Sequence, residues 1–95
     1  MLDVRIMQEI LKKYRKLSNI TQESMANYMG ISRRQYVYLE KGEKQITLEH
    51  LDMFSEFTGT SLTEIFREYE ERKNVFYEKK EDGEVEIEID LMLEA

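Results

Sequence analysis

The residues that usually carry enzymatic chemistry are sparse in this 95-residue sequence. Cysteine is absent, which excludes disulfides, thiolate metal sites and cysteine nucleophiles. A single histidine, His50, argues against a histidine metal site or a catalytic triad, and we expect it on a helix surface or at an interface. The sequence has 20 acidic residues, but it has no cysteine or glycine-rich phosphate loop that would combine with them in an active site. The sequence therefore predicts that the protein is not an enzyme and uses no metal or other cofactor.

Charged side chains can also bind partners, and here the charge is unevenly distributed. The net charge is −6, yet residues 12–44 contain eight basic and three acidic residues, a balance of +5. Residues 67–95 contain five basic and eleven acidic residues, a balance of −6. Because electrostatic recognition is local, a basic face that binds an anionic partner can coexist with an acidic tail. Charge alone favours the simpler interpretation of a solvated helical surface.

Caps and apolar periodicity predict a mainly α fold with five helices. Apolar residues recur at three- and four-residue spacing from Ile6 to Leu17, which indicates an amphipathic helix over residues 3–17. The fourth helix is predicted to turn Leu48, Leu51 and Phe54 inward, together with Met53 and Phe57. No apolar run approaches the roughly 20 residues of a membrane-spanning helix, so we expect a soluble, cytoplasmic protein. The predicted N-caps are Asp3, Thr21, Ser32, Thr47 and Ser61, and glycines that end helices are Gly30, Gly42 and Gly59.

The last 22 residues follow a different pattern. Apolar residues from Val85 to Leu93 alternate with acidic ones, and this period of two predicts a half-buried strand. Val75-Phe76-Tyr77 precede it, and Asp82-Gly83 between the two runs is a strong hairpin turn. Because an isolated two-stranded hairpin is only marginally stable, either the helical body or a second subunit must cover its apolar face. We predict a β-hairpin tail over residues 74–95, with residues 74–93 mediating homodimerisation.

A motif of two short helices joined by a tight turn occupies residues 21–42, which read TQESMANYMGISRRQYVYLEKG. This stretch resembles the lambda-repressor/Cro-like (XRE-type) family of helix-turn-helix DNA-binding proteins. The matching positions are Gln22-Glu23, the small Ala26, Gly30, Ile31-Ser32-Arg33 and the ending Glu40-Lys41-Gly42. The flanking helices fit as well, so the resemblance covers about residues 4–66. It implies a five-helix lambda-repressor-like DNA-binding domain over residues 1–73, followed by the β-hairpin extension.

The resemblance implies roles for individual residues. The start of the third helix should enter the DNA major groove, where the fork-shaped donors of Arg33 and Arg34 fit the acceptor pair of guanine. Tyr36 is bulkier than the aliphatic residue common at its position, and we expect it to pack in the core. Arg15 and Glu40 should form a structural salt bridge. The implied DNA-binding residues are Gln22, which would clamp a phosphate, and Ser32, Arg33, Arg34, Val37, Tyr38, Lys41 and Lys44.

Three functions fit these observations. The leading one is a sequence-specific regulator of transcription, a repressor that binds a palindromic double-stranded DNA operator as a dimer. The second is an antitoxin, whose acidic tail would bind a basic toxin protein while the helix-turn-helix regulates its own operon. The third is a helical protein-interaction module that has lost DNA binding. The sequence does not specify the operator, the regulated genes or an effector ligand.

Overall fold

The computed structural model describes residues 2–80 and shows five α-helices within them. The prediction of a mainly α protein with five helices is therefore confirmed. The helices are α1 (Val4–Leu17), α2 (Gln22–Met29), α3 (Arg33–Glu40), α4 (Leu48–Thr58) and α5 (Leu62–Lys80).

Side-chain caps begin the helices at the five predicted positions. At α3, the Ser32 hydroxyl accepts from the Gln35 backbone N–H, and the Gln35 side chain accepts from the Ser32 N–H, which completes a capping box. His50 has the equivalent role at α4, where its Nδ1 accepts from the Thr47 backbone N–H at 3.1 Å. Asp3, Thr21 and Ser61 cap the other three helices by accepting a backbone N–H two or three residues ahead.

Glycine permits the tight turn between α2 and α3. Gly30 ends α2 with φ of +73°, a left-handed conformation that glycine adopts without steric cost. The Ile31 N–H then donates back to the Ala26 carbonyl at 3.0 Å. Ala26 is itself almost fully buried, and its small side chain suits the close packing of α2 against α3. The turn therefore fixes the start of α3 relative to α2.

One apolar core holds the helices together. α3 packs against α1 and α2, whereas α5 packs against α1 and α4 and makes no contact with α3 among the described residues. The prediction that Leu48 faces inward is wrong: it is 69% exposed, because it is the first residue of α4 and lies outside the core that Leu51 and Phe54 enter. Phe57 is also exposed rather than buried, and its ring stacks on that of Tyr28. The buried apolar side chains are Ile6, Met7, Ile10, Leu11, Met25, Ala26, Met29, Tyr36, Leu39, Ile46, Leu51, Phe54, Ile65 and Tyr69.

The predicted β-hairpin is wrong in its first strand. Residues 75–80 continue α5 instead, because no glycine or proline interrupts the chain between Ser61 and Asp82. An ion pair between Glu68 and Arg72, one turn apart, also stabilises α5 upstream. The predicted turn and second strand lie outside the described residues. The division between residues 73 and 74 stays a prediction, and α5 crosses it without a break. Among residues 2–80, no helix is long and apolar enough to cross a membrane.

Candidate nucleic-acid interface

The outer face of α3 carries most of the residues that the sequence assigned to DNA. Arg33 and Arg34 are exposed in the first turn, and Val37 and Tyr38 are half-buried one turn later. Together with Lys41 they line one open depression. Three of the five side chains are cationic, so this face of α3 is positively charged. An α-helix of this kind has the dimensions to enter a B-DNA major groove.

Arg34 and Tyr38 contact each other across one turn of α3. Arg34 Nε donates to the Tyr38 hydroxyl at 3.2 Å, and the guanidinium carbon lies 6.0 Å from the ring centroid. The contact leaves other guanidinium N–H groups of Arg34 available, since this side chain has five donors. It also reduces the conformational freedom that Arg34 would lose on binding a ligand.

The inner face of α3 is anchored by a buried ion pair between Arg15 and Glu40. Arg15 Nε donates to Glu40 Oε2 at 2.5 Å, and Arg15 Nη2 donates to Glu40 Oε1 at 3.2 Å. Arg15 Nη1 also donates to the Ile20 carbonyl at 2.8 Å. The salt bridge that the resemblance implies is thus present, and it joins α1, the loop before α2 and the end of α3.

Two further donors complete the surroundings of the Glu40 carboxylate. The Tyr36 hydroxyl donates to Oε2 at 2.6 Å, and Gln22 Nε2 donates to Oε1 at 3.1 Å. Burial raises the pKa of Glu40, but the hydrogen bonds from Arg15, Tyr36 and Gln22 outweigh burial and hold the pKa below its usual range. Glu40 is therefore an ionised carboxylate at neutral pH, and it links the inner face of α3 to the start of α2.

Tyr36 is fully buried, so its side chain packs in the core and is not exposed to contact a base. Burial and the hydrogen bond to ionised Glu40 raise the pKa of the Tyr36 hydroxyl, which therefore stays a neutral donor. Its hydrogen bond to Glu40 was not among the sequence predictions. The spacing contains the signal, because residues i and i+4 of a helix lie on the same face.

The other predicted DNA-binding residues lie around the α3 face. Gln22 lines a second depression with Arg15, Thr21, Glu23 and Arg33, so Arg33 borders both depressions. Ser32 is the N-cap of α3. Lys44 lies beyond α3 in the loop before α4. The pKa of His50 is lowered, mainly because His50 is partly buried and secondly because of the positive charge of Lys44. The structure therefore brings six of the eight residues to two adjoining depressions, with Ser32 and Lys44 outside them.

The described residues hold no cluster of three or more histidine or acidic side chains that could bind a metal ion. The two depressions on α2 and α3 are lined mainly by donors, with Glu23 as the acidic exception. Such a surface suits an extended anion that also offers hydrogen-bond acceptors, as a DNA duplex does.

Comparison with known proteins agrees with this geometry. The helix-turn-helix family model HTH_3 matches residues 11–65. An uncharacterised HTH-type transcriptional regulator of Methanocaldococcus jannaschii is 37% identical over 60 residues, which are 63% of this chain and 91% of that protein. Control protein C.MunI of a Mycoplasma species is 34% identical over 61 residues, which are 63% of this chain and 82% of that protein.

A solved structure shares the fold. The crystal structure of the clp gene regulator ClgR from Corynebacterium glutamicum superposes with a TM-score of 0.75, over 85% of this chain and 86% of that one. The sequence identity is 18%, so the likeness concerns the arrangement of the helices.

Proposed function

Since the chain belongs to the HTH_3 helix-turn-helix family and is a transcriptional regulator with a helix-turn-helix DNA-binding domain, we propose that it represses transcription as a dimer on a palindromic operator. The observation that carries the proposal is the exposed basic face of α3, where Arg33, Arg34 and Lys41 share one depression. Regulation of this kind takes place in the cytoplasm, where we place the protein.

In the proposed complex, α3 lies in the major groove and its residues divide into two classes. Arg33 and Arg34 contact base edges, because guanidinium donors fit the O6 and N7 acceptors of guanine. Val37 and Tyr38 lie one turn further along and contact a thymine methyl, a base or a phosphate. The remaining contacts, from Gln22, Ser32, Lys41 and Lys44, go to the DNA backbone and fix the orientation of the domain.

Dimerisation supplies the second half of the operator contact. We propose that the dimer forms through residues 74–93, which begin in the last turns of α5. Val75 is 48% exposed there, and α5 packs against α1 and α4 rather than against α3. An interface at this end leaves both copies of α3 free to enter major grooves about one DNA turn apart.

Light scattering tests the dimer proposal. The full-length protein should show a dimer mass, and a variant that ends at Lys73 should show a monomer mass while keeping its helical circular dichroism. If the truncated variant is helical but still has a dimer mass, the interface lies outside residues 74–93.

Selection of duplexes from a random pool tests the proposed function most generally. The full-length protein should enrich a palindromic sequence, and Arg33→Ala or Arg34→Ala should each cost about 1–3 kcal/mol of affinity and relax preference at one base position. Affinity should also fall steeply with added salt, because phosphate-bound counterions are released. A pool without any enriched sequence would contradict the proposal.

The antitoxin alternative stays a prediction from the acidic tail, since no contact among residues 2–80 favours it over a repressor. Co-purification of a small basic protein with the full-length chain, and loss of that protein on removal of residues 81–95, would favour it.

A further inference from the structure

Tyr36 has a buried hydroxyl that a core position does not require. Its ring fills the space between α3 and the core and is fully buried, a task that an aliphatic side chain could share. A buried hydroxyl must be hydrogen-bonded to avoid a penalty. Its partner at 2.6 Å is Glu40 Oε2, so the hydroxyl is directed at the carboxylate that joins α3 to α2.

The two oxygens of Glu40 have different partners. Oε2 accepts from Tyr36 and from Arg15 Nε, whereas Oε1 accepts from Gln22 and from Arg15 Nη2. Arg15 contacts both oxygens and restrains the rotation of the carboxylate, and the Tyr36 hydroxyl adds a second donor at Oε2 that limits the rotation further. Oε1 is consequently held toward α2, where the Gln22 side chain begins.

The fixed carboxylate decides which end of the Gln22 amide faces it. Ionised Glu40 can only accept hydrogen bonds, so the Nε2 end of Gln22 must face it. An amide nitrogen carries two hydrogens, and Glu40 accepts one of them, so the second is available to a ligand. Gln22 lines an open depression whose other residues are Arg15, Thr21, Arg33 and the acidic Glu23. This depression adjoins the N-terminus of α2, whose dipole favours an anion.

We propose that Tyr36 is a positioning residue for phosphate binding: through Glu40 it orients the Gln22 amide so that an N–H points outward. The inference rests on the proposed function for its ligand, a phosphate of the DNA backbone. Tyr36 itself never touches DNA. Its contribution lies in presenting a donor that is ordered before the duplex arrives, which lowers the entropic cost of the contact.

Affinity measurements on the full-length protein test the link between Tyr36 and Gln22. The variants are Tyr36→Phe, Gln22→Ala and the double variant, titrated against a duplex recovered by the selection above. Tyr36→Phe should weaken binding about 2- to 10-fold, the range expected for one hydrogen bond. In the Gln22→Ala background the same substitution should change affinity by less than about 1.5-fold, because the amide it orients is gone. Equal losses in both backgrounds, or none in either, would overturn the proposal.

Tyr14 offers a matched control. Its hydroxyl donates to Glu68 Oε1 at 2.6 Å, the same contact at the same length, between α1 and α5. Tyr14→Phe should therefore leave the affinity for DNA unchanged, and an equal loss in this variant would show that the effect is a general one of removing a tyrosine hydroxyl.

The amide orientation can be measured without DNA. In the NMR spectrum of the free protein, the two Gln22 side-chain N–H resonances should be well separated and should converge in Tyr36→Phe but not in Tyr14→Phe. If no duplex binds the wild type, the proposed function fails while this spectrum still tests the positioning. Resonances that are unaffected by Tyr36→Phe would overturn the positioning itself.

Discussion

Replacing Glu40 with glutamine tests the role of the buried ion pair with the smallest change of shape. The Glu40→Gln variant keeps the size of the side chain but removes its charge, and it turns one acceptor into a donor that faces Arg15, Tyr36 or Gln22. Arg15 would then be left with an uncompensated charge, and its side chain is only 10% exposed while that of Glu40 is 1% exposed.

The expected cost follows from that burial. Removing one partner of a buried ion pair typically destabilises a protein by about 3–5 kcal/mol. A domain of this size has about 5–15 kcal/mol of stability in total, so the variant should lose a large fraction of it. Urea unfolding followed by circular dichroism measures the loss, provided that the dependence on urea keeps its slope.

Glu68 provides the control. It accepts hydrogen bonds from Lys13, Tyr14 and Arg72, but the side chains of Lys13 and Arg72 are 43% and 35% exposed. Exposed ion pairs contribute up to about 1 kcal/mol, so Glu68→Gln should cost about 1 kcal/mol. If the free energy of unfolding of Glu40→Gln is within about 1 kcal/mol of the wild type, or if the two variants lose equal amounts, burial does not make the Arg15–Glu40 pair costly to break.

Two further predictions concern acid and the start of α3. The pKa of Glu40 is lowered in the fold, so its stabilisation is complete above the ordinary pKa of the group and is lost as the pH falls through the lowered value. Urea unfolding between pH 7 and pH 3 should show this loss, and a smaller one in Glu40→Gln. Ser32→Ala removes the N-cap of α3 and should cost about 1 kcal/mol. The exposed Thr63→Ala should change stability by less than about 0.5 kcal/mol in the same assay, and equal costs would mean that the cap contributes nothing.

Local side-chain chemistry made much of the fold predictable. Thr21, Ser32 and Thr47 each stand directly before the first residue of a helix, and the side-chain oxygen of each accepts from a backbone N–H in the first turn. Such signals do not depend on distant parts of the chain. Gly30 was predictable for the same reason, because its left-handed backbone conformation is a local requirement. The number and order of the helices follow from these positions.

The errors have two causes: one is a helix that meets no stop signal, and the other is a helix end that lies outside the core. Val75 belongs to a short β-branched and aromatic run that favours a strand by composition, yet it extends α5, because a helix continues until a residue stops it. Leu48 has the spacing of a core residue but lies at the end of its helix, where no other element covers it.

The exposure of the outer face of α3 was predictable, and the resemblance implied the Arg15–Glu40 pair on its inner face, but the other inner contacts were not predicted. Arg33, Arg34 and Lys41 could be placed at the surface from the motif, because a side chain there needs no partner in the fold, and their contacts with DNA stay a prediction. The link from Tyr36 through Glu40 to Gln22 spans two helices, and its existence depends on the angle at which α2 and α3 cross. Sequence spacing gives the first contact, within α3, but not the second.

Charge reversal on α3 tests directly whether its exposed basic face binds DNA. The full-length Arg33→Glu/Arg34→Glu variant should be compared with Lys12→Glu/Arg67→Glu, which makes the same change of net charge at exposed positions on α1 and α5. By fluorescence anisotropy with the selected duplex, the α3 variant should lose about 30-fold or more in affinity, because two base contacts of about 1–3 kcal/mol each sum to at least about 2 kcal/mol. The control should keep most of its affinity. Equal affinities for the two variants would contradict the account.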